Sequence, residues 1–155
     1  MDIALTATAA MTILAPYVTK AAGKLAEKVG EDIWAKVKKV FTKDKEKELV
    51  KKVEENKVTK ADLVEIESSL VEHLQEETDF EQLLKTSLNL TPANEFILEN
   101  NLQVAAKIRE ELKPLYMEQI DAGVAVVGDY NIRIAQLERK LKKIDEKILS
   151  IITKQ

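Results

Sequence analysis

Residues 3–19, IALTATAAMTILAPYVT, carry no charge, in a chain of 155 residues of which 33% are charged. Such a stretch has to leave water, either by filling the core of a helical domain or by entering a bilayer. It runs straight into residues 20–45, an amphipathic segment studded with lysine. From the residues alone both destinations stay open, and the function turns on which is reached and when.

Few aromatics, four glycines and three prolines among many Ala, Leu, Ile, Val, Lys and Glu residues predict a nearly all-helical chain. The length suits one hydrophobic core. The expectation is an all-α fold: a single helical bundle of four to six helices with a long N-terminal helix. A net charge of −3 gives no bulk attraction to nucleic acid, so none is expected as a partner. The absence of cysteine excludes disulfides and thiolate metal sites and fits a reducing compartment. Asp2 and the lack of a basic leader segment argue against a secretory signal. As a constitutive span the stretch is short, about 25 Å of helix against about 30 Å of hydrocarbon, and its threonines and Pro16 dilute it.

Along the chain, Ile3, Ala7, Ala10, Leu14, Val18, Ala21, Leu25, Val29, Ile33, Val37 and Val40 step by three and four. This marks one face of a long helix, or of two collinear ones meeting near Pro16. Gly23 and Gly30 fall on one side and would let a neighbouring helix come close. Trp34 is either an interfacial anchor or a tryptophan packed at the base of the bundle. A short helix follows over residues 46–55, stopped at Asn56-Lys57. Thr59-Lys60-Ala61-Asp62 reads as a capping box, with Leu63, Ile66, Leu70 and Leu74 as the next core stripe. Thr78 and Thr91-Pro92 open two further helices, the first through Leu83, Leu84 and Leu88. The second is patterned by Phe96, Ile97, Leu102, Ala105, Ile108 and Leu112 and interrupted at Pro114. Ile134, Leu137, Leu141, Ile144, Ile148 and Ile151 define a terminal helix, with Glu138 and Lys142 spaced to pair on its exposed side. The organisation expected is a bundle over residues 1–120, a Gly/Val joint at 121–131 and a C-terminal amphipathic helix, 132–155, packed on the bundle.

Catalytic arrangements are missing from this pattern. His73 is the single histidine, and it shares a helix face with Glu77. One histidine among acids on a charged helix reads as solvated, and an enzyme using His73 with Glu76 or Glu77 is the least favoured reading. There is no paired Glu-x-x-His, phosphate-cradling glycine loop, nucleophile elbow or zinc spacing. No enzyme, no metal and no cofactor are expected.

Two stretches can carry function. In the first, Ile3, Leu5, Met11, Ile13, Leu14, Tyr17 and Val18 are the membrane-active candidates, and Lys20, Lys24, Lys28, Lys36, Lys38 and Lys39 are the candidates for anionic headgroups. An Ala/Thr-rich helix is held less firmly than a Leu-rich one, because burial stabilises in proportion to apolar area. Once released it could insert while the lysines bind lipid. The alternative is a permanent core helix with its lysines simply in water. In the second stretch, residues 123–134, the choice lies between an inter-helix loop and a segment pairing in β fashion between chains. The assembly candidates there and beyond are Val124, Val126, Val127, Gly128, Tyr130, Asn131, Ile132, Leu137 and Leu141.

Across residues 2–84 the layout resembles the N-terminal helical domains of bacterial conflict-system proteins. The Ala/Thr/Leu-rich opening, the Gly-Lys-Leu-Ala-Glu-Lys-Val-Gly stretch at 23–30, a basic helix, Val-Glu-Glu-Asn at 53–56 and an acidic helix carry the likeness. Those Bell-type domains are compared with the four-helix cell-death domains of HeLo proteins, mixed-lineage pseudokinases and plant resistance proteins. The resemblance implies oligomerisation and membrane permeabilisation in bacterial antiphage immunity. It also implies an upstream sensor protein, self-association, and a cytoplasmic protein recruited to the anionic inner membrane on activation. The runner-up is a non-lytic helical adaptor assembling partners. Ala125-Val126-Val127-Gly128-Asp129-Tyr130-Asn131 is similar to a RHIM-type amyloid motif, departing from it at Val126, where that family usually has glutamine.

Overall fold

A computed structural model describes residues 2–121 and 129–153. Among the described residues there are seven helices and no strand: α1 (Ile3–Val18), α2 (Lys24–Val40), α3 (Asp44–Glu54), α4 (Lys60–Glu76), α5 (Thr78–Ser87), α6 (Pro92–Asp121) and α7 (Asp129–Ile152). The chain is all-α. The count exceeds the four to six expected, because the region expected to hold one long N-terminal helix holds two.

The uncharged segment forms α1, and every residue from Leu5 to Leu14 is buried. A helix apolar around its whole circumference has no face to give to water, so it takes the middle of the bundle. Helices α2, α4, α5, α6 and α7 all pack on it. Its threonines fit there because their hydroxyls donate back one turn, Thr6 to the Asp2 carbonyl at 3.1 Å and Thr8 to that of Ala4 at 2.9 Å. Thr12 does the same to Thr8 at 3.0 Å. Each hydroxyl buried this way avoids the cost of an unmade hydrogen bond. Asp2, the charge nearest the segment, is the N-cap: its carboxylate accepts from the Leu5 amide at 2.8 Å.

Residues 3–45 are neither one helix nor two collinear ones. Pro16 stays inside α1, in its last turn, and the break comes just after it. Lys20 adopts a left-handed conformation, φ 62°. The Ala21 amide donates to the Pro16 carbonyl at 2.7 Å and the Lys20 amide to that of Tyr17 at 3.2 Å. This pair of bonds is a Schellman stop, and it turns α2 back along α1. The turn brings Gly30 against Tyr17 so closely that an added Cβ would lie 2.8 Å from the Tyr17 Cβ and Cγ. Gly23, by contrast, is the N-cap of α2 with nothing crowding it. Asn56 (φ 58°) and Asn89 (φ 54°) repeat the stop, with Lys57 and Leu90 amides donating five residues back at 2.8 Å.

The starts largely follow the sequence. Thr59 and Asp62 form the expected capping box, the Asp62 amide donating to the Thr59 hydroxyl at 3.1 Å and the Thr59 amide to the Asp62 carboxylate at 2.9 Å. Burial works against the Asp62 charge, yet those bonds and the Lys52 ammonium at 3.0 Å hold its pKa below the ordinary value. Thr91 caps α6, with Pro92 in the first turn. The α6 core stripe differs from expectation. Leu98, Leu102, Ala105, Ile108 and Leu112 are buried, whereas Phe96 and Ile97 stand 84% and 55% exposed. Nor does Pro114 interrupt α6. Pro114 and Glu110, whose carbonyl loses its amide partner, are exposed, so water can take that bond. Trp34 is buried in the core and not at a surface. Helix α7 lies along α6 through a second apolar cluster of Ile108, Leu112, Ile134 and Leu137.

Two substitutions report on the turn after α1 with opposite signs. Lys20→Gly relieves the left-handed backbone and is expected to stabilise by about 0.5–1 kcal/mol. Gly30→Ala drives a methyl into Tyr17 and is expected to cost about 1–3 kcal/mol. Urea unfolding of both variants measures the two signs.

Candidate functional site

Of the membrane-active candidates, Leu5, Met11, Ile13, Leu14 and Val18 are buried, and Ile3 and Tyr17 are half-buried. Lys20, Lys24, Lys28, Lys38 and Lys39 are exposed. Lys36 is half-buried, bonded to Asp32 at 3.1 Å and to the Ser87 hydroxyl. Among the assembly candidates, Val124, Val126, Val127 and Gly128 lie outside the described residues. Tyr130 and Asn131 belong to the first turns of α7, so the part of residues 123–134 from Asp129 onward is helical and not extended. Ile132 is 57% exposed, Leu141 is half-buried, and Leu137 is buried against α6. Glu138 does not pair with Lys142; it reaches Lys60 of α4 at 3.0 Å.

The polar centre of the molecule was not foreseen from the residues. Asp145 of α7 accepts from Arg109 Nη2 of α6 at 2.9 Å and from the Thr12 hydroxyl of α1 at 3.1 Å. Three helices are thereby tied at one carboxylate, and Thr12 is the hydroxyl of α1 that reaches outside its own helix. Burial pushes the Asp145 carboxyl above its ordinary value, against the pull of Arg109 and Thr12. Glu67 of α4 is raised likewise by burial, with Arg109 and Lys113 opposing. Arg109 Nε is buried with no hydrogen-bond partner. A cavity of about 550 Å³ lies beside this cluster, walled by α1, α4, α6 and α7, with Tyr116, Lys60 and Glu138 at its other end. Burial first, and then Glu138, raises the Tyr116 hydroxyl.

A sequence signal for these residues existed. Leu63-Glu67-Leu70-Leu74, Ala105-Arg109-Leu112 and Leu141-Asp145-Ile148-Ile152 each run at helical spacing, so Glu67, Arg109 and Asp145 occupy positions on the core stripes of their helices. A charge at a stripe position is a candidate for a buried pair.

His73 is also buried, not solvated. Its Nε2 lies 2.7 Å from Glu46 and its Nδ1 2.9 Å from Glu77, so the partner in the enzyme reading is Glu77 and not the exposed Glu76. Phe41 stacks on the ring at 5.7 Å and Phe80 meets it edge-on at 6.2 Å. Glu46 also accepts from the Lys43 amide that begins α3, at 3.2 Å. The row pins the start of α3 and the start of α5 to the end of α4. Among the described residues no group of three or more His, Asp or Glu is placed to hold a metal ion, and no helix is long and apolar enough to cross a membrane. Comparisons with protein-family models, with curated proteins and with solved structures each return no match for this chain.

Removing Arg109 tests the three-helix tie. Arg109→Met leaves the half-buried Asp145 without its counter-charge and is expected to cost about 3 kcal/mol at neutral pH. Loss of the guanidinium raises the Asp145 and Glu67 carboxyls still further. An acid raised in the folded state penalises the fold in full above its folded pKa; the penalty shrinks as pH falls below that value and is gone at the ordinary one. The stability gap between Arg109→Met and the unsubstituted chain should therefore narrow from neutral pH toward the ordinary carboxylate range. Denaturant unfolding across that range measures it.

Proposed function

We propose that this chain is a membrane-perturbing effector module of the bacterial conflict type, quiescent while α1 is sheathed and active once α1 leaves the bundle for lipid. One observation carries the reading: α1 has no charge along its 16 residues and is buried on every side through its middle. Moving such a helix from a protein interior to hydrocarbon exchanges one apolar surrounding for another. Its backbone bonds are internal, and its buried threonine hydroxyls already donate to carbonyls of the same helix or its cap. They stay satisfied outside the bundle, where an unsatisfied group is costly. Among the described residues the side-chain bond to give up is Thr12 to Asp145, and Thr12 keeps its bond to Thr8.

At about 24 Å, α1 is shorter than the roughly 30 Å hydrocarbon layer, a mismatch that thins a bilayer instead of spanning it quietly. In this reading the exposed lysines on and before α2 meet anionic headgroups of the inner membrane as α1 departs. Self-association and an upstream sensor complete the proposal through the resemblance to Bell-type and HeLo-type domains. The second reading, a non-lytic adaptor, draws its support from Phe96 and Ile97, large apolar side chains left exposed at the start of α6.

The test uses a position that the resting fold tolerates. Leu14 is fully buried, so a charge there unfolds the bundle and decides nothing. Ala4 is exposed in the first turn of α1, where an acid even favours the helix. Ala4→Glu should leave the thermal midpoint nearly unchanged while reducing dye release from anionic vesicles by about tenfold, because the added charge opposes entry into hydrocarbon. Unaltered release from this variant contradicts the proposal.

A further inference from the structure

The cavity between α1, α4, α6 and α7 has a chemical bias. Its volume of about 550 Å³ falls among those of small-molecule sites. Much of its wall is aliphatic, including Met11, Leu63 and Leu149. Its charged groups are mostly satisfied by one another: Glu138 by Lys60 at 3.0 Å and Asp145 by Arg109 at 2.9 Å. Lys142 and Glu146 stand exposed at the rim, in water. Glu67 is different. It is half-buried on the wall and makes no hydrogen bond or ion pair among the described residues, and Arg109 and Lys113 act on it only through space. A half-buried carboxylate that has no donor gains when a positive donor arrives.

We propose that this cavity is a binding site for a small organic cation, with Glu67 accepting from an ammonium group and the aliphatic wall covering a compact carbon body. Charge favours a cation: Lys60 and Arg109 each already hold a carboxylate, with Arg109 Nε the one atom of that pair left without a bond, whereas Glu67 holds no cation at all. Shape selects the body, since a fully polar cation such as a free metal ion leaves the aliphatic wall uncovered. Because the walls include α1, a bound cation also bridges α1 to α4, α6 and α7 and raises the stability of the folded state by mass action. The inference does not depend on the membrane reading.

The experiment is calorimetric titration and thermal shift of the full chain with cyclohexylammonium, beside cyclohexanol and cyclohexanecarboxylate as neutral and anionic probes of the same body. The expected result is binding of the ammonium with a raised midpoint, and much weaker binding of the other two. Glu67→Gln should weaken ammonium binding by about tenfold or more. Because it removes an unpartnered charge, it should also leave the unliganded midpoint unchanged or higher. Val64→Phe, at a half-buried wall position, should block binding by filling the cavity while Glu67 remains. The proposal is overturned by equal binding of the three probes, by no binding of the ammonium, or by ammonium binding that survives Glu67→Gln. A Glu67→Gln chain that fails to fold overturns it too, since Glu67 would then be a structural partner.

Discussion

Burial of α1 is the constraint on which the rest depends. A 16-residue helix without charge has no face to give to water, and five other helices pack around it. The Schellman stop at Lys20 follows from this need, because a straight continuation would carry α2 away from the face it must cover. The close approach of Gly30 to Tyr17 follows as well, since only a residue without a side chain admits α2 at that distance. Even the many alanines have a role. Ala7, Ala9 and Ala10 are completely buried, and their small size lets helices crowd α1 on several sides while contributing little apolar area each. The centre of the molecule is therefore close-packed and, per residue, only modestly stabilised.

Around that centre large side chains such as Leu70, Leu84, Leu98 and Leu102 fill the core, and two groups of charges tie particular helices together. Asp145 joins α1, α6 and α7, and His73 with Glu46 and Glu77 joins α3, α4 and α5. The first of these ties is half-buried and incomplete: Arg109 Nε goes unpaired, and burial raises both Asp145 and Glu67. Buried ion pairs of this kind contribute little net stability when intact and cost much when one partner is lost. Such a tie specifies where α1 sits more than it strengthens the bundle, which fits the proposed release of α1. The same group lines the cavity, so the hold on α1 and the cation site share a wall.

Much of the helical layout was legible because local chemistry sets it. The Thr59–Asp62 box, the Thr91-Pro92 start and the stop at Asn56 each rest on residues within one turn of one another. The stop at Lys20 was not legible, because lysine has no preference for the left-handed region and Pro16 offered a more familiar break. The α6 stripe was misplaced because two overlapping apolar faces exist there, and only the neighbours decide which one is covered. Of the polar ties, the His73–Glu77 half lies at i,i+4 and could be read. Glu46, 27 residues from His73, and Asp145, 36 residues from Arg109, could not. What the sequence did hold was a charge placed on each of three core stripes, a pattern that names the partners without saying who meets whom.

Because the chain contains no cysteine, a single one can be introduced and labelled. Ala4→Cys carrying an environment-sensitive fluorophore places the probe on the exposed first turn of α1, in water at rest. Mixed with anionic vesicles containing doxyl lipids, the probe should brighten and be quenched by the deeply placed doxyl groups, in step with dye release. A probe still in water while vesicles leak, or vesicles left intact by saturating protein, would show that α1 does not leave the bundle for lipid.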